Sequence, residues 1–481
     1  MSDQILKDLQ LEARVPSRIV ADQAFSRAAG APLISGNKIR LLKDATENYA
    51  AWFEAIRTAR NTIHFESYII HADEVGREFS EALAAKAREG VRVRLIYDWM
   101  GALGHTYYPF WRSLRDAGIE VRCFNPPRLD SPLGWLRRDH RKSLSVDGRI
   151  GFVTGLCVGR SWVGDPKRGI APWRDTGVEI QGPAVADIEH AFAQMWSILG
   201  SPLPDIDLGN GRVPGPEGDV ALRIVASYPN TGGLYRFDQL IGALARQTIW
   251  LTDAYFVGTA PYIQTLRAAA MDGVDVRMLL PRTNDVPIVR TLSRAGYRTL
   301  LEAGVRIFEW NGSMLHAKTA VADGRWARVG STNLNIASWL GNWELDVVVE
   351  DEGFAREMEE MYLNDLVQST EIVLSAKQKV HSAGRPPRRP HHLKIAEGSG
   401  GRAVAGLLRA GNTVGAAITS RRGLGPPEVG ALAVSAILLL CLTIAGIFWP
   451  LVISIPVVVF CVWVVLALVV RVYRLYANRD L

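Results

Sequence analysis

The chain has 481 residues, of which 48% are hydrophobic, and a formal net charge of +6. This length allows at least one large hydrophobic core, whereas the charge is too small to specify a partner. The four cysteines show no paired spacing, which excludes a disulfide framework and a cysteine-based zinc site and favours a reducing compartment. Residues 1–18 are polar and charged, so we expect no signal peptide in this N-terminal arm, which we place at 1–35.

Residues 36–375 contain an internal repeat. Four segments of the first half recur in the same order in the second half. The pairs are 62–70 with 248–256 (offset by one residue), 87–98 with 270–281, 117–124 with 303–310, and 139–149 with 315–325. In each half, helical patterns alternate with β-branched strand patterns, which predicts two tandem α/β units with a mixed sheet covered by helices. We place these units at 36–205 and 206–375.

Both halves carry the same polar motif, a histidine followed by a lysine two residues later and an aspartate five residues after that. It comprises His140, Lys142 and Asp147 in the first half and His316, Lys318 and Asp323 in the second. One such pattern arises by chance in about one chain in fifty of this composition, and either histidine alone would more simply be a surface strand residue. Two copies at matching places of a repeat indicate a site. Residues two apart on a strand share a face, so each histidine and lysine should project together.

This double motif resembles the signature of the phospholipase D superfamily, over about residues 36–370. Segments 68–79, 90–104 and 313–318 are most similar to bacterial cardiolipin synthases. The resemblance implies that the two halves are related by a pseudo-twofold axis and form one site within one chain. It also implies a two-step phosphodiester exchange that uses neither metal nor cofactor.

In such an exchange, one neutral imidazole attacks phosphorus and a second, protonated imidazole gives its proton to the leaving alcohol. Family members usually use the N-terminal histidine as the nucleophile, which implies that His140 forms the phosphohistidine and His316 is the acid and base. The residues themselves do not distinguish the two. Lys142 and Lys318 would hold the non-bridging oxygens of the phosphate.

The second half continues as the family pattern does, with Ser331, Asn333 and Glu344. The resemblance implies that Asn333 helps to bind phosphate and that Glu344 hydrogen-bonds a catalytic histidine and fixes its tautomer. We expect Asp147 and Asp323 to order the turn after each motif, with a direct catalytic role as the alternative.

The first half departs from that pattern. Gly155 and Cys157 stand where serine and asparagine are expected, and Asp175 is the candidate for the role of Glu344, at a longer spacing from its motif. The departure weakens the expectation of full phosphate coordination by the first half.

Three arginines lie near His140 in the sequence. Arg137, Arg138 and Arg141 predict a basic mouth for anionic headgroups or, alternatively, a solvated surface. Residues 131–136 are either a loop that enters lipid or an ordinary packed loop.

The C-terminal region differs in composition. Residues 376–427 are rich in proline, glycine and arginine and predict a basic linker. No charged residue occurs between Val429 and Val470, a run about twice the roughly 20 residues that one membrane-spanning helix needs. Phe448, Trp449 and Pro450 interrupt the run. We therefore predict a transmembrane hairpin within 428–471, with spans at about 429–448 and 451–470 and a basic tail at 472–481; a buried hairpin in a soluble domain is the disfavoured alternative.

Arginines flank both ends of the hairpin, so the positive-inside tendency places both flanks in the cytoplasm. Together with the resemblance, this predicts a phosphatidyltransferase at a bacterial inner membrane that acts on phosphatidylglycerol-like lipids, with an alcohol as acceptor and its catalytic region cytoplasmic. A phospholipase D with water as acceptor would use the same residues. A nuclease is disfavoured because the repeats lack extended basic stripes with stacking aromatics, so we expect no nucleic-acid partner. A non-catalytic membrane scaffold is disfavoured by the two intact motifs.

Overall fold

The structure is a computed structural model that describes residues 22–127, 137–211, 213–374 and 380–382, with isolated positions between 440 and 469. Within these residues, no helix combines the length and the apolar character that a membrane crossing requires. The predicted spans lie largely outside the described residues, and the tail and the loop at 131–136 lie outside them. Of the predicted linker, only Val380–Ser382 are described, and they form a short strand that pairs with Ser369–Leu374.

The first half begins after α1, of which residues 22–29 are described. Its elements are β1 (Ile34–Lys43), α2 (Asp44–Thr58), β2 (Thr62–Ser67), α3 (Glu74–Arg88), β3 (Arg92–Asp98), α4 (Trp99–Ala102), α5 (Tyr108–Asp116), β4 (Glu120–Phe124), β5 (Lys142–Val146), β6 (Ile150–Thr154), α6 (Arg160–Val163), β7 (Thr176–Gln181) and α7 (Val185–Ile198).

The second half repeats this pattern. Its elements are β8 (Val220–Ser227), α8 (Gly233–Leu244), β9 (Thr248–Thr252), α9 (Ala260–Met271), β10 (Asp275–Pro281), α10 (Pro287–Leu301), β11 (Arg306–Trp310), β12 (Thr319–Ala322), β13 (Trp326–Gly330), α11 (Ile336–Leu340), β14 (Glu344–Glu350) and α12 (Glu352–Val367), followed by β15 (Ser369–Leu374) and β16 (Val380–Ser382).

The strand order of the two halves is the same. In the first half it is β1-β7-β6-β5-β2-β3-β4, and in the second it is β8-β14-β13-β12-β9-β10-β11. Strands β2, β3 and β4 run parallel, as do β9, β10 and β11, and the other neighbours within each half are antiparallel. The equivalent first strands, β1 and β8, pair antiparallel and join the halves into one sheet. This confirms the predicted pair of α/β units with a mixed sheet.

Apolar side chains fill three large clusters. One lies in the first half around Trp52 and Phe79, and one in the second half around Phe237, which also receives Phe25 from α1. The third joins side chains of both halves, including Val178 and Val347. Burial of apolar surface across the junction stabilises the halves as one unit, and it fixes the motifs relative to each other.

The aspartate of each motif lies at a hairpin turn. Three residues connect the strands of each hairpin; the first, Asp147 or Asp323, has φ of 55° or 51°, and the glycine that follows also has positive φ, a conformation that aspartate and glycine tolerate. The Asp147 carboxylate accepts hydrogen bonds from the backbone N–H groups of residues 60, 61 and 62, and Asp323 accepts from those of 246, 247 and 248. At about 3.3 Å per residue, each aspartate lies about 16 Å along the strand from its lysine. This position suits a structural role in the turn.

Candidate active site

The two motifs meet because each pairs with the backbone of the other half. The His140 amide donates to the carbonyl of Trp343 at 2.9 Å, and the His316 amide donates to the carbonyl of Arg174 at 2.7 Å. These equivalent contacts sit at the start of β5 and of β12. They place both histidines at the junction of the halves, both less than a tenth exposed.

Each histidine is held by a carboxylate from the opposite half. His140 Nδ1 lies 2.9 Å from Glu344 Oε2, and His316 Nδ1 lies 2.7 Å from Asp175 Oδ2. A carboxylate accepts a hydrogen bond from Nδ1–H and so keeps the proton on that nitrogen. Nε2 is therefore the ring atom that can attack phosphorus or exchange a proton. Four side chains that sequence reasoning had placed in separate halves thus form two crossed pairs.

The two motif lysines lie beside these pairs and are fully buried. Each Nζ donates to the carbonyl of its own motif histidine, and Lys142 and Lys318 lie 5.2 and 5.7 Å from the ring centroids of Tyr68 and Tyr255. Two ammonium groups in one buried site favour an anion such as a phosphodiester. Among the residues that the structure describes, no group of three or more histidine, cysteine or acidic side chains could hold a metal ion.

Burial sets the protonation of the free site. It lowers the pKa of His316 to about 3, with Lys318 acting in the same direction and Asp175 against it. Burial also lowers the pKa of His140, against the effect of Glu344. Both imidazoles are therefore neutral near pH 7 before substrate arrives. A bound phosphodiester anion would raise both pKa values, since a nearby negative charge favours the protonated ring.

The pKa of Lys318 is also lowered, to about 8, by burial and by the charge of Lys142, against the effect of Asp175. Lys318 is thus charged below that pH and loses its charge above it. We expect kcat/KM for a phospholipid substrate to fall as pH rises through about 8, approaching tenfold per pH unit, because the neutral amine no longer holds phosphate. The measurement is a pH profile of kcat/KM on lipid vesicles.

Lys318→Arg is the control for that profile, because a guanidinium keeps its charge over the same range, so the break near pH 8 should be absent from its profile. A wild-type profile with no change of slope between about pH 7 and pH 10, near the ordinary pKa of lysine, would contradict the assignment.

Two tyrosines complete the walls of the site, and sequence reasoning missed them. The Tyr68 ring lies 5.0 Å from that of His140, and the Tyr255 ring lies 5.9 Å from that of His316, both edge to face. They occupy matching places after β2 and β9. The repeat 62–70 with 248–256 contained the signal, because its one-residue offset brings these two tyrosines into register.

The residues after the second motif surround Glu344. Ser331 Oγ donates to Glu344 Oε2 at 2.6 Å, so it orients the carboxylate that holds His140. Asn333 is buried, and its Oδ1 atom has no hydrogen-bond partner among the described residues. This side-chain amide therefore has an oxygen that is not hydrogen-bonded to the described protein, as is expected of a residue that faces a ligand.

The departure of the first half has a steric cause. A Cβ atom at Gly155 would lie 2.2 Å from Asp175 Oδ1, so the carboxylate occupies the space of the expected serine side chain. The Asp175 oxygens accept instead from Trp162 Nε1 at 3.0 Å and from the Thr176 amide at 2.9 Å. Cys157, in place of asparagine, is fully buried, and burial raises the pKa of its thiol. Asp175 therefore keeps its orientation without a serine, whereas Cys157 is a weak donor.

The predicted basic mouth is wrong for two of its three arginines. Arg141 is fully buried and donates to the carbonyls of residues 191, 227 and 344. Arg138 pairs with Asp98 at 2.8 Å, and Arg137 is exposed. For Arg141 the reason is strand alternation. His140 and Lys142 point into the site, so Arg141 between them points to the opposite side.

Comparison with known proteins identifies one family. The family described as "Cardiolipin synthase, PLD-like domain" matches residues 52–196 and 240–366. Cardiolipin synthase A of Pseudomonas fluorescens (strain SBW25) is 36% identical over 374 residues, which cover 75% of each chain. Cardiolipin synthase A of Pseudomonas entomophila (strain L48) is 33% identical over 383 residues, which cover 77% of each chain. A phosphatidylserine synthase structure from Haemophilus influenzae shares the fold, with a TM-score of 0.58 at 13% identity over 73% of this chain and 91% of that chain.

The fold and the paired motifs define an enzyme of the phospholipase D superfamily. Within it, the chain belongs to the cardiolipin synthase family and is a phosphatidyltransferase of that type. The resemblance drawn from the sequence is thereby confirmed.

Proposed function

We propose that this enzyme joins two phosphatidylglycerol-like lipids by moving a phosphatidyl group from one to a hydroxyl of the other, through a phosphohistidine. The observation that carries the proposal is the pair of crossed histidine–carboxylate contacts beside two buried lysines. One histidine must bond to phosphorus while the other handles a proton. The names of the curated relatives, which are cardiolipin synthases, support the choice of substrate class.

In the first half-reaction, His140 Nε2 attacks phosphorus and the bond from phosphorus to the leaving alcohol breaks. His316, protonated once the anion is bound, gives its proton to the departing oxygen. Glu344 stabilises the positive charge that His140 acquires, as Asp175 does for His316. Lys142, Lys318 and the Asn333 amide hold the non-bridging oxygens, where charge develops in the transition state.

In the second half-reaction, a hydroxyl oxygen bonds to phosphorus, the bond from phosphorus to His140 breaks, and His316 takes the hydroxyl proton. Water in place of the alcohol would give phosphatidic acid through the same residues. The test is mass spectrometry of the lipids after the full chain has been incubated with phosphatidylglycerol vesicles. Cardiolipin with release of glycerol supports the proposal, phosphatidic acid as the sole lipid product would assign a phospholipase D, and unchanged lipid would refute both.

We also propose that the units 36–205 and 206–375 are followed by the linker at 376–427 and a membrane hairpin within 428–471, with both ends of the chain in the cytoplasm of a bacterial cell. The uncharged run from Val429 to Val470 and its flanking arginines support this arrangement. Reporter fusions at residue 1 and at Leu481 should label the same compartment. Reporters on opposite sides of the membrane would leave a single span and refute the hairpin.

A further inference from the structure

A carboxylate outside both motifs stands at the edge of the site. Asp285 lies in the connection between β10 and α10, and its two oxygens accept from the Tyr255 hydroxyl at 2.9 and 3.1 Å. Tyr255 is the ring that contacts His316 and lies near Lys318. Asp285 is thus one tyrosine away from the proposed acid and base, and it is solvent-exposed.

The connection that carries Asp285 is fixed in place. Asn284 Nδ2 donates to the carbonyl of Ala254 at 2.9 Å, and its Oδ1 accepts from the Val286 amide at 2.7 Å. Asn284 therefore ties the carboxylate to the residue just before Tyr255. Burial is the main cause of the raised pKa of Tyr68, and the charges of Asp98, Cys157 and, least, Asp285 act in the same direction.

The two halves differ here. The corresponding connection of the first half, residues 99–107, contains no acidic residue. A carboxylate at the edge of this site does not help to bind a phosphodiester, because the two anions repel each other. It accepts hydrogen bonds from hydroxyl groups, and its two oxygens offer about four lone-pair positions, more than one tyrosine hydroxyl uses.

We propose that Asp285 binds a hydroxyl group of the acceptor alcohol and thereby selects a polyol headgroup over water in the second half-reaction. This inference rests on the proposed function. A vicinal diol can place one hydroxyl oxygen on phosphorus, with its proton going to His316, while the neighbouring hydroxyl donates to Asp285. Water has no second hydroxyl, and neither does a monohydric alcohol. Asp285 is a specificity-determining residue that neither forms nor breaks a bond.

The experiment measures the ratio of cardiolipin to phosphatidic acid formed by the full chain from phosphatidylglycerol vesicles. Charge-assisted hydrogen bonds contribute enough that Asp285→Ala should lower this ratio about 10–100-fold. Asp285→Asn preserves an acceptor for Tyr255 and should shift the ratio in the same direction. Asp272→Asn, at the exposed C-terminal end of α9, is the matched control and should leave the ratio unchanged.

Tyr255→Phe separates direct binding from an effect through the tyrosine. It removes the hydroxyl that Asp285 holds and leaves the carboxylate, so it should preserve the ratio even if the rate falls. A ratio unchanged in both Asp285→Ala and Asp285→Asn would overturn the inference, as would a Tyr255→Phe ratio as low as that of Asp285→Ala. Wild-type enzyme that consumes no phosphatidylglycerol would instead refute the proposed function, and the inference with it.

Discussion

Replacing His140 or His316 by alanine is expected to abolish turnover, with a loss of about 10⁴–10⁶ in rate for each variant, and the double variant is expected to be no worse than either single one. Residues that act as a unit in one mechanism are not additive, because removal of one leaves the other without its partner. The crossed contacts with Glu344 and Asp175 predict this behaviour, since neither half holds a complete site by itself.

The measurement is consumption of phosphatidylglycerol by the purified full chain, with the unfolding temperature of each variant as a check on folding. His190→Ala is the matched control, because His190 is an exposed histidine on α7, far from both motifs in the chain, and should retain full rate. Substantial activity in either single variant would mean two independent sites.

Much of the fold could be predicted because the chain repeats itself. Strand patterns at 91–97 and 275–281 recur with the same helices before them, and an Asp-Gly pair after each motif specifies a turn that needs two positive φ values. Local rules decide these features. The same rules placed His140 and Lys142 on one face, and in the structure both side chains lie beside the Tyr68 ring.

The partners across the junction could not be derived from local rules. His140 and Glu344 are 204 residues apart, and only the packing of the two halves brings them together. For Arg141, strand alternation is a local rule and would have turned it away from the site; only its carbonyl partners, which belong to distant elements, could not be derived. From the sequence, glycine in place of serine at position 155 suggests that a hydrogen-bonding side chain is missing from the site. In the structure, the carboxylate of Asp175 occupies the space that a serine side chain would fill.

The second large expected effect is a loss of activity when a carboxylate that holds a catalytic histidine is replaced by an amide. Asp175→Asn and Glu344→Gln should each lower kcat/KM about 10²–10⁴-fold, because an amide can present its N–H to Nδ1 and so fix the wrong tautomer of the histidine. Asp175 Oδ2 accepts from both His316 and Trp162, and Glu344 Oε2 accepts from both His140 and Ser331. The other oxygens are also acceptors: Asp175 Oδ1 accepts from the Thr176 amide and Glu344 Oε1 accepts from Asn342 Nδ2, so no orientation of an amide satisfies every donor.

Asp116→Asn and Glu81→Gln, both exposed carboxylates on α5 and α3, are the matched controls and should retain wild-type kcat/KM. Retention of full activity in both Asp175→Asn and Glu344→Gln would show that the carboxylates do not control the histidines.

The leaving group then distinguishes the roles of the two histidines. An aryl phosphodiester releases a phenolate that needs no proton, so the general acid is dispensable for it, whereas the nucleophile is not. Suppose that His140 attacks phosphorus. Asp175→Asn then impairs only the general acid, so on the aryl substrate it should recover most of the rate that it loses in the first half-reaction. Glu344→Gln impairs the nucleophile and should not recover. Release of the phenol, measured as a burst, reports that step separately from transfer to the acceptor. Recovery by Glu344→Gln instead would assign His316 as the nucleophile and His140 as the general acid. The roles of the other residues in the site would be unchanged.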